Sequence, residues 1–180
     1  MALKKALTTL VGLPMWKAVR SLNLHVLHFG SPQTRTTRSG VVVDAGAVTL
    51  HLQCAWRIVA DHRVVVGSGD RLIPRSNPEV IPEDFCCNEP NATLCDEKLE
   101  QLLREHEAAP LLVTAVTTQA AGAFVVQFGD AASLEVLPDG SVGEQWRIID
   151  ANRQHNVFEA SYFAIGLQAP EDIDDVTQDN

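Results

Sequence analysis

The sequence predicts an α+β fold: an antiparallel sheet of two similar meanders with one main helix packed on a face, plus short N-terminal helices. Three observations carry this. Val48, Leu50, Leu52 and Cys54 alternate with Thr49, His51 and Gln53, the period-two pattern of a half-buried strand. Two separate stretches, each of two strands, lead into Trp56-Arg57-Ile58 and Trp146-Arg147-Ile148. One amphipathic segment, Thr93 to His106, has apolar residues at helical spacing.

Leu3, Leu7, Leu10 and Val11 recur at helical spacing, and Gly12 is placed to end that helix. Pro14 suits the first turn of a second short helix, with Met15, Trp16 and Val19 as its apolar contacts. Leu22 to Phe29 reads as a strand closed by Gly30, and Ser31 to Gly40 as a loop or hairpin tip. Val41 to Val43 reads as a short strand with a turn at Asp44-Ala45-Gly46, and the alternating strand then runs on through Trp56 to Val59. Asp61-His62-Arg63 is a turn into Val64-Val65-Val66, giving a hairpin. From Gly67 to Asn91 the chain is irregular and proline-rich, a long connection of the kind that often carries function.

Thr93 and Asp96 form a capping box for the main helix, whose stripe is Cys95, Leu99, Leu102, Leu103 and His106. Glu100 and Arg104 are spaced to pair on its other side. Leu111 to Thr118, Ala123 to Phe128 and Ser133 to Leu137 read as strands. Pro138-Asp139-Gly140 turns the last of them toward a partner at Glu144 to Ile149. Ala160 to Leu167 is expected as a final edge strand.

A chain of 180 residues, 46% of them hydrophobic, has room for one well-packed core without disulfides or metal. Residues 1–167 are read as a single domain, with a possible internal repeat over 22–66 and 111–149, and 168–180 as an acidic disordered tail. The repeat rests on order. A strand ends in Phe29-Gly30 or Phe128-Gly129, an alternating strand holds Thr49 to Leu52 or Ser133 to Val136, and Trp-Arg-Ile follows at 56–58 or 146–148.

The net charge is −9, yet no Asp or Glu precedes Asp44, so the remainder is strongly acidic. An acidic body repels phosphate backbones, which argues against nucleic acid as a partner and suits a basic protein. No apolar run has the length of a membrane span. The basic stretch Met1 to Val11 lacks the cleavage pattern of a signal peptide, which points to a cytoplasmic location. Cys54, Cys86, Cys87 and Cys95 match no standard zinc spacing.

No catalytic set, metal centre or cofactor motif emerges. Val66-Gly67-Ser68-Gly69-Asp70 lacks the lysine of a phosphate loop and the third glycine of a dinucleotide fingerprint. His28 and His51 fall on neighbouring strands with His25 on the opposite face, too few ligands for a metal. The candidate binding residues are His51, Gln53, Trp56, Arg57, Glu135, Trp146 and Arg147. Arg57 is placed either to pair with a carboxylate such as Glu135 or to face solvent.

The residues Gly12-Leu13-Pro14-x-Trp16 and Leu50-His51-Leu52-Gln53-Cys54-Ala55-Trp56-Arg57 carry a likeness. The chain resembles small uncharacterised bacterial proteins with such an opening and strand, over roughly residues 10–60 and 120–150. The resemblance implies a bacterial cytoplasmic protein and transfers no catalytic residue. A looser similarity to acidic immunity proteins implies toxin neutralisation. The expected function is therefore a non-enzymatic protein-binding module, an immunity or accessory protein. The alternatives are a small-molecule-binding or enzymatic domain, with a pocket between sheet and helix lined by Trp56, Trp146, His51 and Arg57, and a structural homo-oligomer or homodimer.

Overall fold

The computed structural model describes residues 2–36, 40–150, 157–161 and 164–168, the last two segments as backbone only. Helix α1 spans Ala2–Leu7 and continues as a 3-10 turn, Thr8–Leu10. Twelve strands follow: β1 Pro14–Ser21, β2 Leu24–Thr36, β3 Val42–Leu52, β4 Ala55–Ala60, β5 Arg63–Gly67, β6 Leu111–Leu112, β7 Ala115–Thr118, β8 Phe124–Phe128, β9 Ala132–Leu137, β10 Glu144–Asp150, β11 Val157–Ser161 and β12 Ala164–Gln168. Helix α2, Leu94–Glu105, lies between β5 and β6 in the chain. The architecture is α+β, and among the described residues every strand pairing is antiparallel.

The strands divide into two sheets. One has seven strands in the order β12-β11-β10-β3-β2-β1-β6, the other five in the order β5-β4-β9-β8-β7. The alternating strand does not run straight through Trp56. It breaks at Gln53-Cys54 and enters the second sheet as β4. The expected strand from Leu111 to Thr118 likewise splits into β6 and β7, one in each sheet. Such crossings let one side of each sheet face a shared core. That core joins Leu27, Phe29, Leu50 and Ile148 of the first sheet to Trp56, Ile58, Phe124 and Leu134 of the second.

Three further expectations are corrected. Pro14 opens strand β1 rather than a helix, because residues 14–21 are claimed by pairing with β2, and tertiary pairing overrides local helix signals. The Asp44-Ala45-Gly46 stretch is no turn. It lies within β3, and β2 runs on past Gly30 to Thr36 beside it. Strand β10 does not return to β9 but pairs with β3 and β11. Residues 169–180 of the expected tail lie outside the described residues.

The two similar stretches exchange their last strands. β2 pairs with β3 and β8 with β9, but β4 joins β9 and β10 joins β3. The registers match position by position. Trp56, Arg57 and Ile58 face Val136, Glu135 and Leu134, while Trp146, Arg147 and Ile148 face Leu52, His51 and Leu50.

Helix α2 begins as expected: Thr93 Oγ1 accepts from Asp96 N, and the Asp96 carboxylate accepts from Thr93 N at 3.1 Å. Cys95, Leu99 and Leu102 enter the core. The helix packs against β1 of one sheet and β5 of the other. Arg20 ties it there. Its guanidinium meets the Asp96 carboxylate through two hydrogen bonds of 2.9 and 2.8 Å. Glu100 is held by Arg75 of the preceding connection, not by Arg104. Within that connection Ser68–Leu72 forms a 3-10 turn, capped where Gly67 N donates to Asp70 at 3.1 Å.

The β2–β3 hairpin is kinked. Its register shifts between Phe29 and Pro32, and Gly30 takes φ +76°. Opposite, a Cβ on Gly46 would lie 2.6 Å from Phe29 N and O. These are backbone atoms and cannot swing away. Gly46→Ala is therefore expected to destabilise the fold by about 1–3 kcal/mol, read as a lower urea midpoint; an unchanged midpoint would show that the kink relaxes freely.

Candidate functional site

Side chains alternate along β3, so Leu50 and Leu52 point to the core while Thr49 and His51 point to the outer face of the seven-stranded sheet. His28 faces Thr49 across the β2–β3 ladder and shares that outer face, as does Lys17, which faces His28 from β1. His51 is the diagonal neighbour of His28. On a sheet with one wet face, residues like these are ordinarily solvated. Here they are not: His28 and His51 are 6% exposed and Thr49 is 5% exposed. Val26 and Ile149, on the same face, are buried too.

Trp16 sits at the bulge between Met15 and Lys17, its ring centroid 5.8 Å from that of His28. Lys17 lies over the same indole, also 5.8 Å from its centroid, and reaches across β2 to donate to Asp44 O at 3.0 Å. Arg35, on the distal part of β2, is close enough to His28 and Asp150 for their charges to interact. Four polar atoms in this group are buried without a hydrogen-bond partner among the described residues: Trp16 Nε1, His28 Nε2, Arg35 Nη2 and His51 Nδ1. Each such atom ordinarily costs on the order of 1–3 kcal/mol.

The electrostatics follow from burial. Loss of solvent, helped by the charges of Lys17 and Arg35, lowers the His28 pKa to about 4. Burial, then Arg147 and His28, lowers that of His51 to about 3. Burial also pushes the Arg35 guanidinium below its ordinary value. Both imidazoles are thus neutral near pH 7. His28 Nδ1 accepts the Gly46 N–H at 3.0 Å, so the ring proton of neutral His28 sits on Nε2, which is then a donor.

The residues singled out in the sequence fall in three places. His51 lies on this outer face, with Arg147 opposite it on β10. Arg147 Nε donates to Glu144 at 2.7 Å, and Gln53 Nε2 donates to the same carboxylate oxygen at 3.1 Å. Arg57 and Glu135 do pair, Nε to Oε2 at 2.7 Å, but on the outer face of the other sheet and partly in solvent. Trp56 and Trp146 are core residues. Trp56 packs edge-on to His25 at 4.9 Å, and Trp146 packs edge-on to Phe124 at 4.7 Å and donates Nε1–H to Gly122 O. Trp56, Trp146, His51 and Arg57 therefore line no common pocket between sheet and helix. Trp16, His28 and Arg35 were not among the candidates. The local sequence around Trp16 reads as a helix and that around Arg35 as a loop, so only the pairing of β1, β2 and β3 reveals their shared face.

A second histidine group is chemically quiet. Cys95 Sγ lies 3.5 Å from His25 Nε2, both buried. Burial raises the thiol to about 12 and lowers the imidazole to about 4, so neither a thiolate nor a ready base is present near neutral pH. Cys54 is buried and Cys86 exposed, and all four cysteines are free. Among the described residues no group of three or more His, Cys, Asp or Glu side chains is placed to hold a metal ion, and no helix is long and apolar enough to cross a membrane. No family model matches the chain, and no curated protein or solved structure matches it.

Proposed function

We propose that the chain is a non-enzymatic binding protein for a small polar ligand, seated on the outer face of the seven-stranded sheet between Trp16, His28, Arg35 and His51. One observation carries the reading: four buried polar atoms of these residues lie on one face with no hydrogen-bond partner among the described residues. A ligand that satisfies them recovers their desolvation cost, which is what polar groups in a binding site do. Binding rather than turnover is favoured because burial leaves both imidazoles far weaker bases than an ordinary histidine. The charge of −9 fits a basic protein partner, but no patch of named side chains supports that partner comparably.

Native mass spectrometry of the chain purified from its own host tests this directly. The expected result is a non-covalent adduct of defined mass on the wild-type chain that is lost from a His28→Leu, Arg35→Gln double variant. Bare protein in both spectra, with the wild type fully folded, would count against a small-ligand function and return protein binding to first place.

A further inference from the structure

We propose that two copies of this chain pair by trading halves across the short link between α2 and β6; the inference is independent of the ligand reading above. The topology divides the described chain in two. One half holds α1, β1 to β5 and α2, the other β6 to β12. Helix α2 goes with the first half, since it packs on β1, β5 and the Ser68–Leu72 turn. The halves meet along three ladders: β1 with β6, β3 with β10, and β4 with β9. Further backbone bonds cross the same seam: Gly12 N donates to Val113 O at 2.8 Å, Val113 N to Leu13 O at 3.0 Å and Gln53 N to Gln145 O at 2.9 Å. The buried pairs Leu50 with Ile148 and Trp56 with Val136 face each other across it. Each half therefore needs the other to satisfy its strand edges and apolar side chains, and the same half from a second copy offers identical groups.

The chain passes between the halves once, through residues 106–110, and Glu107, Ala108, Ala109 and Pro110 are exposed. Their sequence conflicts with their conformation. Helix α2 stops at Glu105, yet Glu107, Ala108 and Ala109 are strong helix formers, and the first residue that must end a helix is Pro110. With the link opened, α2 gains about one turn and carries the second half away from the first. A short link that turns back against its own helix propensity favours such a trade. Each half then docks on the other copy, and the two-fold arrangement closes on itself. The contacts across the seam are the same in both states, so concentration sets the balance. Within one chain the second half is held at an effective concentration on the order of millimolar. In the pair, the outer face of the seven-stranded sheet belongs to two chains, with His28 and His51 from one and Arg147 and Ile149 from the other.

The test refolds the whole chain from urea at about 1 mM and at about 1 μM and reads the mass of the products by native mass spectrometry. The expected result is a dimer that forms at the higher concentration only and survives later dilution, because taking it apart requires unfolding. Nitrogen-15-labelled and unlabelled chains refolded together should give dimers of intermediate mass, whereas chains mixed after folding should not. Deleting residues 107–109 leaves the link too short to turn back and should make the dimer the main species at both concentrations. The Ala108→Gly, Ala109→Gly double variant weakens the extended helix and should lower the dimer fraction at the higher concentration about tenfold or more. A monomer under every condition, with the deletion variant folded, would overturn the proposal. So would a dimer that appears on concentrating the native chain and falls apart at once on dilution, which would place the contact on the surface. If the deletion variant does not fold, the intermediate-mass dimers and the glycine variant decide: neither a mixed dimer from the wild type nor a drop with glycine would overturn the trade.

Discussion

Arg20→Met is expected to lower the stability of this protein by about 3–5 kcal/mol, the usual cost of stranding one member of a buried ion pair. The Arg20 side chain is 2% exposed and that of Asp96 10%. Beyond its two bonds to Asp96, Arg20 donates to the backbone oxygens of Leu22, Cys87 and Glu89, so one guanidinium joins β1, the long connection and the start of α2. Burial pushes the Asp96 carboxyl up, but hydrogen bonds from Arg20 and Thr93 more than offset it and hold the group below its ordinary range. The loss should appear in urea melts followed by tryptophan fluorescence. Arg20→Lys should recover little of it, because an ammonium lacks the planar fork. Arg57→Met is the matched control: its pair with Glu135 is partly in solvent, and its loss is expected to cost less than about 1 kcal/mol. Equal effects at Arg20 and Arg57 would refute the argument from burial.

The second large effect is acid sensitivity. His25, His28 and His51 are held neutral by burial, with folded pKa values of about 4, 4 and 3, against about 6.5 when unfolded. Below about pH 6.5 the unfolded chain binds protons that the folded one refuses, so stability falls as pH falls. The contribution of these groups is complete above the unfolded value and is lost as pH drops toward the folded values. Each histidine adds a slope of up to about 1.4 kcal/mol per pH unit, on the order of 4 kcal/mol per unit for all three. Asp96, also depressed, extends the loss to lower pH through the same linkage. Urea midpoints at about pH 7, 5.5 and 4.5 should fall steeply, and His28→Gln should shallow the slope by about a third. A flat profile from about pH 7 to 5 would mean that these rings are solvated.

Much of the fold was readable residue by residue, and the limits have physical reasons. The alternation from Val48 to Cys54 fixed which side of β3 faces the core between the sheets, and the Thr93 and Asp96 spacing fixed the start of α2. Asp61 and His62 both take positive φ, +47° and +62°, as a tight hairpin turn requires. The partner of a strand is a different matter, because local sequence does not encode it. Pro138-Asp139-Gly140 reads as a hairpin turn, yet β10 leaves β9 for β3, since the apolar face of Trp146 and Ile148 is satisfied there. The candidate site suffered for the same reason. His51 stood out through its alternation, whereas Trp16 and Arg35 join it only through pairings on β1 and β2 that helix and loop signals concealed.

The exchange of strands between the two halves also shapes how the chain reaches this state. Leu52 must find Trp146, and Trp56 must find Val136, before either sheet has its central ladder. Contacts so distant in sequence carry a large loop-closure cost before they return any stabilisation, which places such a chain among slow folders, on the millisecond-to-second scale. During synthesis β3 and β4 emerge long before β9 and β10, so their open edges wait for partners not yet made. A ribosome-bound chain cut off after α2 therefore presents open strand edges rather than a finished half, and cooperativity arrives only with the last Trp-Arg-Ile strand.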